Sequence, residues 1–165
     1  MNSIMREGLN IQKKVSLTNL YFNRFLAIRY TTAFFLFLNL YWAIFLIGSL
    51  SFAAILPLFL FILSLFTALE QVKLYRCHSN KLPYAYFFYR VLVVSCIILL
   101  ITLYSRLYND FYPFLKNTHD VLNILTVLLI FSLSISFLML KKLNKIKLDQ
   151  DKHFKRIQAY EEIIN

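Results

Sequence analysis

The chain contains few of the residues that bend, loosen or cross-link a protein. Among its 165 residues there are two glycines, three prolines and two cysteines. Two cysteines without a Cys-x-x-Cys spacing indicate neither a disulfide scaffold nor a redox motif. Glycine or proline commonly interrupts the unwound, substrate-binding helices of transporters, so the scarcity of both favours smooth, continuous helices.

Acidic residues are also scarce, with eight Asp and Glu against 18 Lys and Arg, and none lies in the centre of a long apolar run. An ionisable side chain within a membrane span is costly, and it is therefore the usual indication of an ion or substrate path. The sequence has no glycine-rich phosphate loop, nucleophile elbow or HExxH motif, and its three histidines have no metal-ligand spacing. We therefore expect no enzymatic activity, no cofactor and no metal site.

Apolar sequence is abundant, because 59% of the residues are hydrophobic. No Asp, Glu, Lys, Arg or His occurs from Tyr30 to Leu69, a stretch about twice the roughly 20 residues that a helix needs to cross a bilayer. Backbone polar groups in hydrocarbon must be paired internally, so such runs are predicted to be helices. The chain is predicted to have four transmembrane helices, over residues 31–48, 52–69, 87–105 and 121–140.

The predicted fold is an all-α integral membrane protein with one membrane domain, residues 1–165, and its four transmembrane helices form two antiparallel hairpins. Residues 1–30 are a cytoplasmic or interfacial segment. Apolar residues at helical spacing predict an amphipathic helix lying in the membrane interface, and they are Leu17, Leu20, Tyr21, Phe25 and Ile28. The alternative is that this segment begins a long first span. Residues 141–165 are predicted to form a cytoplasmic helical tail, and Pro57 to bend the second span.

The positive charge is distributed unevenly along the chain. With four spans, sixteen of the 18 Lys and Arg lie on the side that holds the N-terminal segment, the middle loop and the tail. The positive-inside rule predicts a multi-pass protein of the cell membrane with both termini in the cytoplasm. The net charge of +10 is attributed to orientation and to anionic lipid head groups, and not to nucleic acid. The densest cluster of candidate anionic-lipid contacts is Lys141, Lys142, Lys145 and Lys147.

The polar side chains inside the spans are mostly hydroxyl groups, which commonly form hydrogen bonds between membrane helices. Asn39 is distinctive because an amide in hydrocarbon needs a hydrogen-bond partner, which a bond to another helix of the bundle or to another subunit would supply. In the tail, apolar residues at helical spacing indicate either a helix that docks on a partner or a solvated helix that lies along the lipid surface. The candidate helix–helix or partner contacts are Asn39, Ser95, Thr102, Ser132, Ser136, Phe154 and Ile157.

By elimination, the sequence predicts a non-enzymatic accessory or regulatory subunit of a larger membrane complex, such as a transporter or a cell-envelope machine. Its expected partners are the anionic bilayer and either another membrane protein or a second copy of itself. Two alternatives stay open, a small homo-oligomeric pore or transporter and an immunity-type membrane protein. The richness in Phe, Leu, Ile, Asn, Lys and Tyr is typical of AT-rich coding sequence and indicates a bacterial source.

Overall fold

A computed structural model describes the backbone of residues 2–76 and 82–164, and the side chains of residues 19–20, 22–74 and 82–159. Within these ranges the regular structure is entirely helical. A short 3-10 helix, Phe52–Ala54, precedes the second long helix. The α-helices are α1 (Asn2–Gly48), α2 (Ile55–Arg76), α3 (Pro83–Leu103), α4 (Tyr108–Phe111), α5 (His119–Lys147) and α6 (Lys152–Ile164).

Four helical segments are long and apolar enough to cross a membrane, which confirms the prediction of a multi-pass membrane protein. They lie within Phe22–Gly48, Phe52–Leu74, Pro83–Leu103 and His119–Ala159, and the last range includes α5, the turn that follows it and part of α6. The third is the most covered by its neighbours, with 44% of its apolar window buried, whereas the fourth has only 6% buried. α3 is therefore the central helix of the bundle, and α5 presents most of its apolar surface outwards.

The first helix is continuous from Asn2 to Gly48, so within these described residues no break separates an interfacial helix from the first span, as in the alternative of a long first span. The apolar stripe from which an interfacial helix was predicted shows the physical reason. Phe25 and Ile28 are buried in the core together with Leu143 and Ile146 of α5, so protein covers this end of the stripe. The side chains of Leu17 and Tyr21, which extend the same stripe, lie outside the described residues.

A tight turn follows α1 and closes with the hydrogen-bond pattern of a Schellman motif. Ser51 N donates to Leu46 O over 3.1 Å, and Leu50 N donates to Ile47 O over 3.0 Å. Leu50 adopts the left-handed conformation, with φ of 52°, and the neighbouring Gly48 does not. The left-handed conformation destabilises a non-glycine residue such as Leu50 by about 1–2 kcal/mol.

Pro57 lies in the first turn of α2, which begins at Ile55. The sequence predicted that this proline bends the second span, but at its observed position the helix has no interior hydrogen bond for the proline to remove. A proline this close to the start of a helix is compatible with a straight helix.

A small polar network joins the first three long helices inside the bundle. Tyr89 of α3 shares its hydroxyl with Thr31 and Thr32 of α1, at 2.7 Å and 3.1 Å. Gln71 of α2 donates from Nε2 to Thr32 Oγ1 over 2.9 Å. Since Thr32, Gln71 and Tyr89 are all buried, these bonds satisfy groups that would otherwise be costly in an apolar interior.

Candidate functional site

The candidate site is a groove between α1 and α5 whose floor is formed by α3, here called the α1–α5 groove. It encloses about 300 Å³ and is lined mainly by aliphatic and aromatic side chains. Phe34 of α1 and Phe131 of α5 remain about half exposed at its sides, so the groove opens towards the outer surface of the bundle. Its polar lining includes one residue from each of the three helices, Asn39, Ser95 and Ser132.

Asn39 makes no hydrogen bond to another helix among the described residues, so of the two partners that the sequence predicted for it, the one in another subunit stays a prediction. Its Nδ2 donates over 2.7 Å to Phe35 O, one turn earlier in the same helix, and the residue is only 1% exposed. Among the described residues no donor bonds to its Oδ1. The Oδ1 atom of Asn39 is thus a hydrogen-bond acceptor without a donor in an apolar groove, where an unpaired polar group is destabilising.

The hydroxyl groups of Ser95 and Ser132 also lack hydrogen bonds to any described residue, although Ser95 is 3% exposed. The other two predicted hydroxyl contacts behave differently. Thr102 donates to Leu99 O over 2.9 Å, and Ser136 donates to Ser132 O over 2.7 Å. Both are buried, both are satisfied within their own helix, and neither lines the groove.

The loop between α3 and α5 closes one end of the groove. Tyr112 is buried, lines the groove, and stacks on Trp42 of α1 with ring centroids 6.4 Å apart. Tyr108 is also buried and its ring lies 5.5 Å from that of Tyr112. Burial raises the pKa of both tyrosines above its ordinary value. A hydrogen bond from Ser51 to Asp110 O ties the same loop to the turn after α1.

The C-terminal tail is held by its own chain. Arg24 of α1, with no exposed surface, donates to both carboxylate oxygens of Asp151 and forms a second ion pair of 2.8 Å with Asp149. The ring of Phe154 lies 4.8 Å from the Arg24 guanidinium carbon, and Ile157 is completely buried. The structure therefore places Phe154 and Ile157 in an internal contact, although Phe154 keeps part of its surface exposed.

A second Schellman motif ends α5 and turns the chain so that Asp149 and Asp151 lie beside Arg24. Gln150 N donates to Lys145 O and Asp149 N donates to Ile146 O, with Asp149 left-handed at φ of 53°. Sequence reasoning missed this cluster because it counted Arg24 as one charge in a basic segment and placed it off the apolar stripe, although Arg24 lies four residues from both Leu20 and Ile28. The available signal was a cation on the apolar stripe of α1 and two acids beside the basic tail.

The four lysines predicted to contact anionic lipid lie along the last two turns of α5. Lys141, Lys145 and Lys147 are exposed, whereas Lys142 is half-buried. Lys141 Nζ lies 4.6 Å from the centroid of the Phe137 ring. None of the four pairs with an acid among the described residues.

Within the same residues, no group of three or more His, Cys, Asp or Glu side chains is arranged to hold a metal ion.

Comparison of the chain with protein-family models, with curated proteins and with solved structures finds no match.

Proposed function

We propose that this chain is a non-enzymatic accessory or regulatory subunit of a larger membrane complex, and that the α1–α5 groove holds a transmembrane helix of a partner protein. One observation supports the proposal above others. Asn39, Ser95 and Ser132 come from three different helices and share one apolar, outward-opening groove, where Asn39 Oδ1 and both serine hydroxyl groups lack partners among the described residues.

The chemistry of the groove favours a helix over a lipid chain. An acyl chain fills apolar space but has no group that donates to Asn39 Oδ1 or accepts from a serine hydroxyl. A helix with a Ser, Thr, Asn or Gln side chain offers both, and each such bond between membrane helices contributes about 0.6–2 kcal/mol. The apolar walls, including Leu38 and Leu128, would add packing area on either side of these bonds.

The proposed arrangement is two antiparallel hairpins, α1 with α2 and α3 with α5, in the cell membrane of a bacterium with both termini in the cytoplasm. Two contacts support the pairing. Thr32 meets Gln71 far from the turn that joins their helices, and Tyr104 near the end of α3 shares a 2.8 Å hydrogen bond with Thr126 near the start of α5. The orientation rests on the excess of Lys and Arg on one side.

The experiment is purification of the tagged full chain in a mild detergent, with mass spectrometry of the proteins that elute with it. A stoichiometric, larger membrane protein is expected. Asn39→Leu should reduce its recovery several-fold, because Leu retains the side-chain volume and removes the acceptor. Asn123→Leu is the matched control, since Asn123 is exposed on α5 and does not line the groove.

Equal recovery of the partner with Asn39→Leu and Asn123→Leu would refute the groove as the binding surface. A clean homo-oligomer without a second protein would refute the accessory role and favour the homo-oligomeric pore. Membrane insertion and the melting temperature of each variant are measured in parallel, so that a folding defect is recognised separately.

A further inference from the structure

A second cavity, of about 400 Å³, lies between the first turns of α3 and the last turns of α5. We call it the Arg90–Lys147 crevice, because these two cations line it from opposite helices. Its floor is apolar and includes the buried side chains of Leu143 and Ile146. Phe87, half exposed on α3, continues the apolar surface of the crevice towards the outside of the bundle.

Arg90 is held in a defined orientation at this crevice. Its Nη2 donates to the hydroxyl of Tyr86 over 3.2 Å, and its guanidinium carbon lies 4.6 Å from the centroid of the same ring. Tyr86 is one turn closer to the start of α3, so the guanidinium turns back towards the end of the membrane span. A long cationic side chain ordinarily reaches the lipid head groups in this way.

The positive charge at the crevice is not neutralised by the described part of the chain. Arg90 and Lys147 form no ion pair with any described residue. The two acids that follow α5, Asp149 and Asp151, are both paired with Arg24. Of the five N–H donors of a guanidinium, Arg90 uses one on Tyr86, and the others contact no acceptor among the described residues.

We propose that the Arg90–Lys147 crevice binds one anionic phospholipid from the bilayer, with the phosphate between the two cations and an acyl chain over Leu143 and Ile146. The pairing of charge with an adjoining apolar floor selects this ligand. A soluble anion would use only the cations, and an uncharged lipid would use only the floor. Basic pockets between membrane helices bind anionic lipid head groups in other proteins.

The test uses the purified full chain in detergent, with dioleoyl phosphatidylglycerol as the anionic probe. Dioleoyl phosphatidylcholine, whose choline cation offsets the charge of its phosphate, is the zwitterionic probe. Native mass spectrometry counts the bound lipids, and a lipid titration gives the dissociation constant. Wild type is expected to retain one phosphatidylglycerol and to prefer it over phosphatidylcholine. Arg90→Gln with Lys147→Gln should weaken phosphatidylglycerol binding about thirtyfold, or about fivefold for each charge removed.

The matched control is Arg106→Gln with Lys116→Gln, which removes the same two charges from exposed positions away from the crevice. This variant should bind phosphatidylglycerol as wild type does. An equal loss in both double variants would overturn the proposal in favour of nonspecific charge attraction. Equal affinity of wild type for both lipids would overturn it as well. Melting temperatures without lipid separate loss of the site from loss of the fold.

Discussion

Arg24 and Asp151, which are 127 residues apart in sequence, form a bidentate ion pair with a shortest distance of 2.6 Å from Nη2 to Oδ1. The Arg24 side chain has no exposed surface and that of Asp151 is 8% exposed. Ile146 O and Asp149 accept further hydrogen bonds from the same guanidinium. The first helix and the C-terminal tail are thus joined through one buried cation.

Replacing Arg24 with Leu should release α6 from α1. The variant leaves the carboxylate of Asp151 buried without its partner, a situation that costs about 3–5 kcal/mol, and the tail can avoid this cost by detaching into water. Faster amide hydrogen exchange across Lys152–Ile164, with little change in α3, is the expected result. Arg106→Leu removes an exposed cation and serves as the control.

The double variant Arg24→Leu with Asp151→Leu separates the ion pair from the packing around it. Replacing both partners by apolar residues is often neutral or stabilising, so slow exchange in α6 should return at least in part. If Arg24→Leu alone left exchange in the tail unchanged, the buried pair would not be what holds the tail.

Ile157→Ala should also loosen the tail, through lost packing and with no loss of charge. Ile157 is completely buried against the chain, and truncating such a side chain to Ala costs about 2–5 kcal/mol. Leu148→Ala makes a similar truncation at a residue that is 63% exposed and should change little. Proteolysis of the tail at increasing protease concentration compares the two, and equal cleavage rates would contradict the packing of Ile157 on its own chain.

Glu70→Ala should destabilise the start of α3. The carboxylate of Glu70, near the end of α2, accepts from Tyr84 N over 3.2 Å and from Ala85 N over 2.9 Å. It therefore caps two of the free N–H groups in the first turn of α3, where a negative charge also complements the helix dipole. A loss of about 1 kcal/mol is expected. Glu70→Gln, which retains one acceptor, should lose less, and identical melting temperatures for the two variants would argue against the cap.

Pro57→Ala should leave the stability nearly unchanged. A proline in a helix interior costs about 3 kcal/mol or more, so removing one there would be stabilising. In the first turn of α2 the proline removes no interior hydrogen bond, and the expected change is within about 0.5 kcal/mol. A rise in melting temperature corresponding to several kcal/mol would place a bend at Pro57 after all.

The polar residues of the spans show how far prediction from sequence reached. The expectation that Asn39 lies at a helix junction used only the cost of an amide in hydrocarbon, and the structure does place Asn39 in a groove between helices. The bond that it forms, to Phe35 O in its own helix, was not predictable, because the i−4 carbonyl and a neighbouring helix satisfy the same donor equally well. For the same reason the sequence could not show that the hydroxyl groups of Thr102 and Ser136 bond within their own helices. Nor could it show that Ser95 and Ser132 line the groove without such a bond.

The sequence by itself determined the environment and the number of spans, because length and hydropathy decide whether a helix can cross hydrocarbon irrespective of its neighbours. It also supplied the charge asymmetry on which the proposed orientation rests. Only the tertiary structure decided which surfaces of these helices are covered. Arg24 is a buried partner of Asp151 and not one more interfacial cation, because α6 folds back onto α1. Such contacts join residues far apart in the chain, so a local pattern of charge or periodicity can mark a candidate such as Arg24 but cannot say which residue it meets.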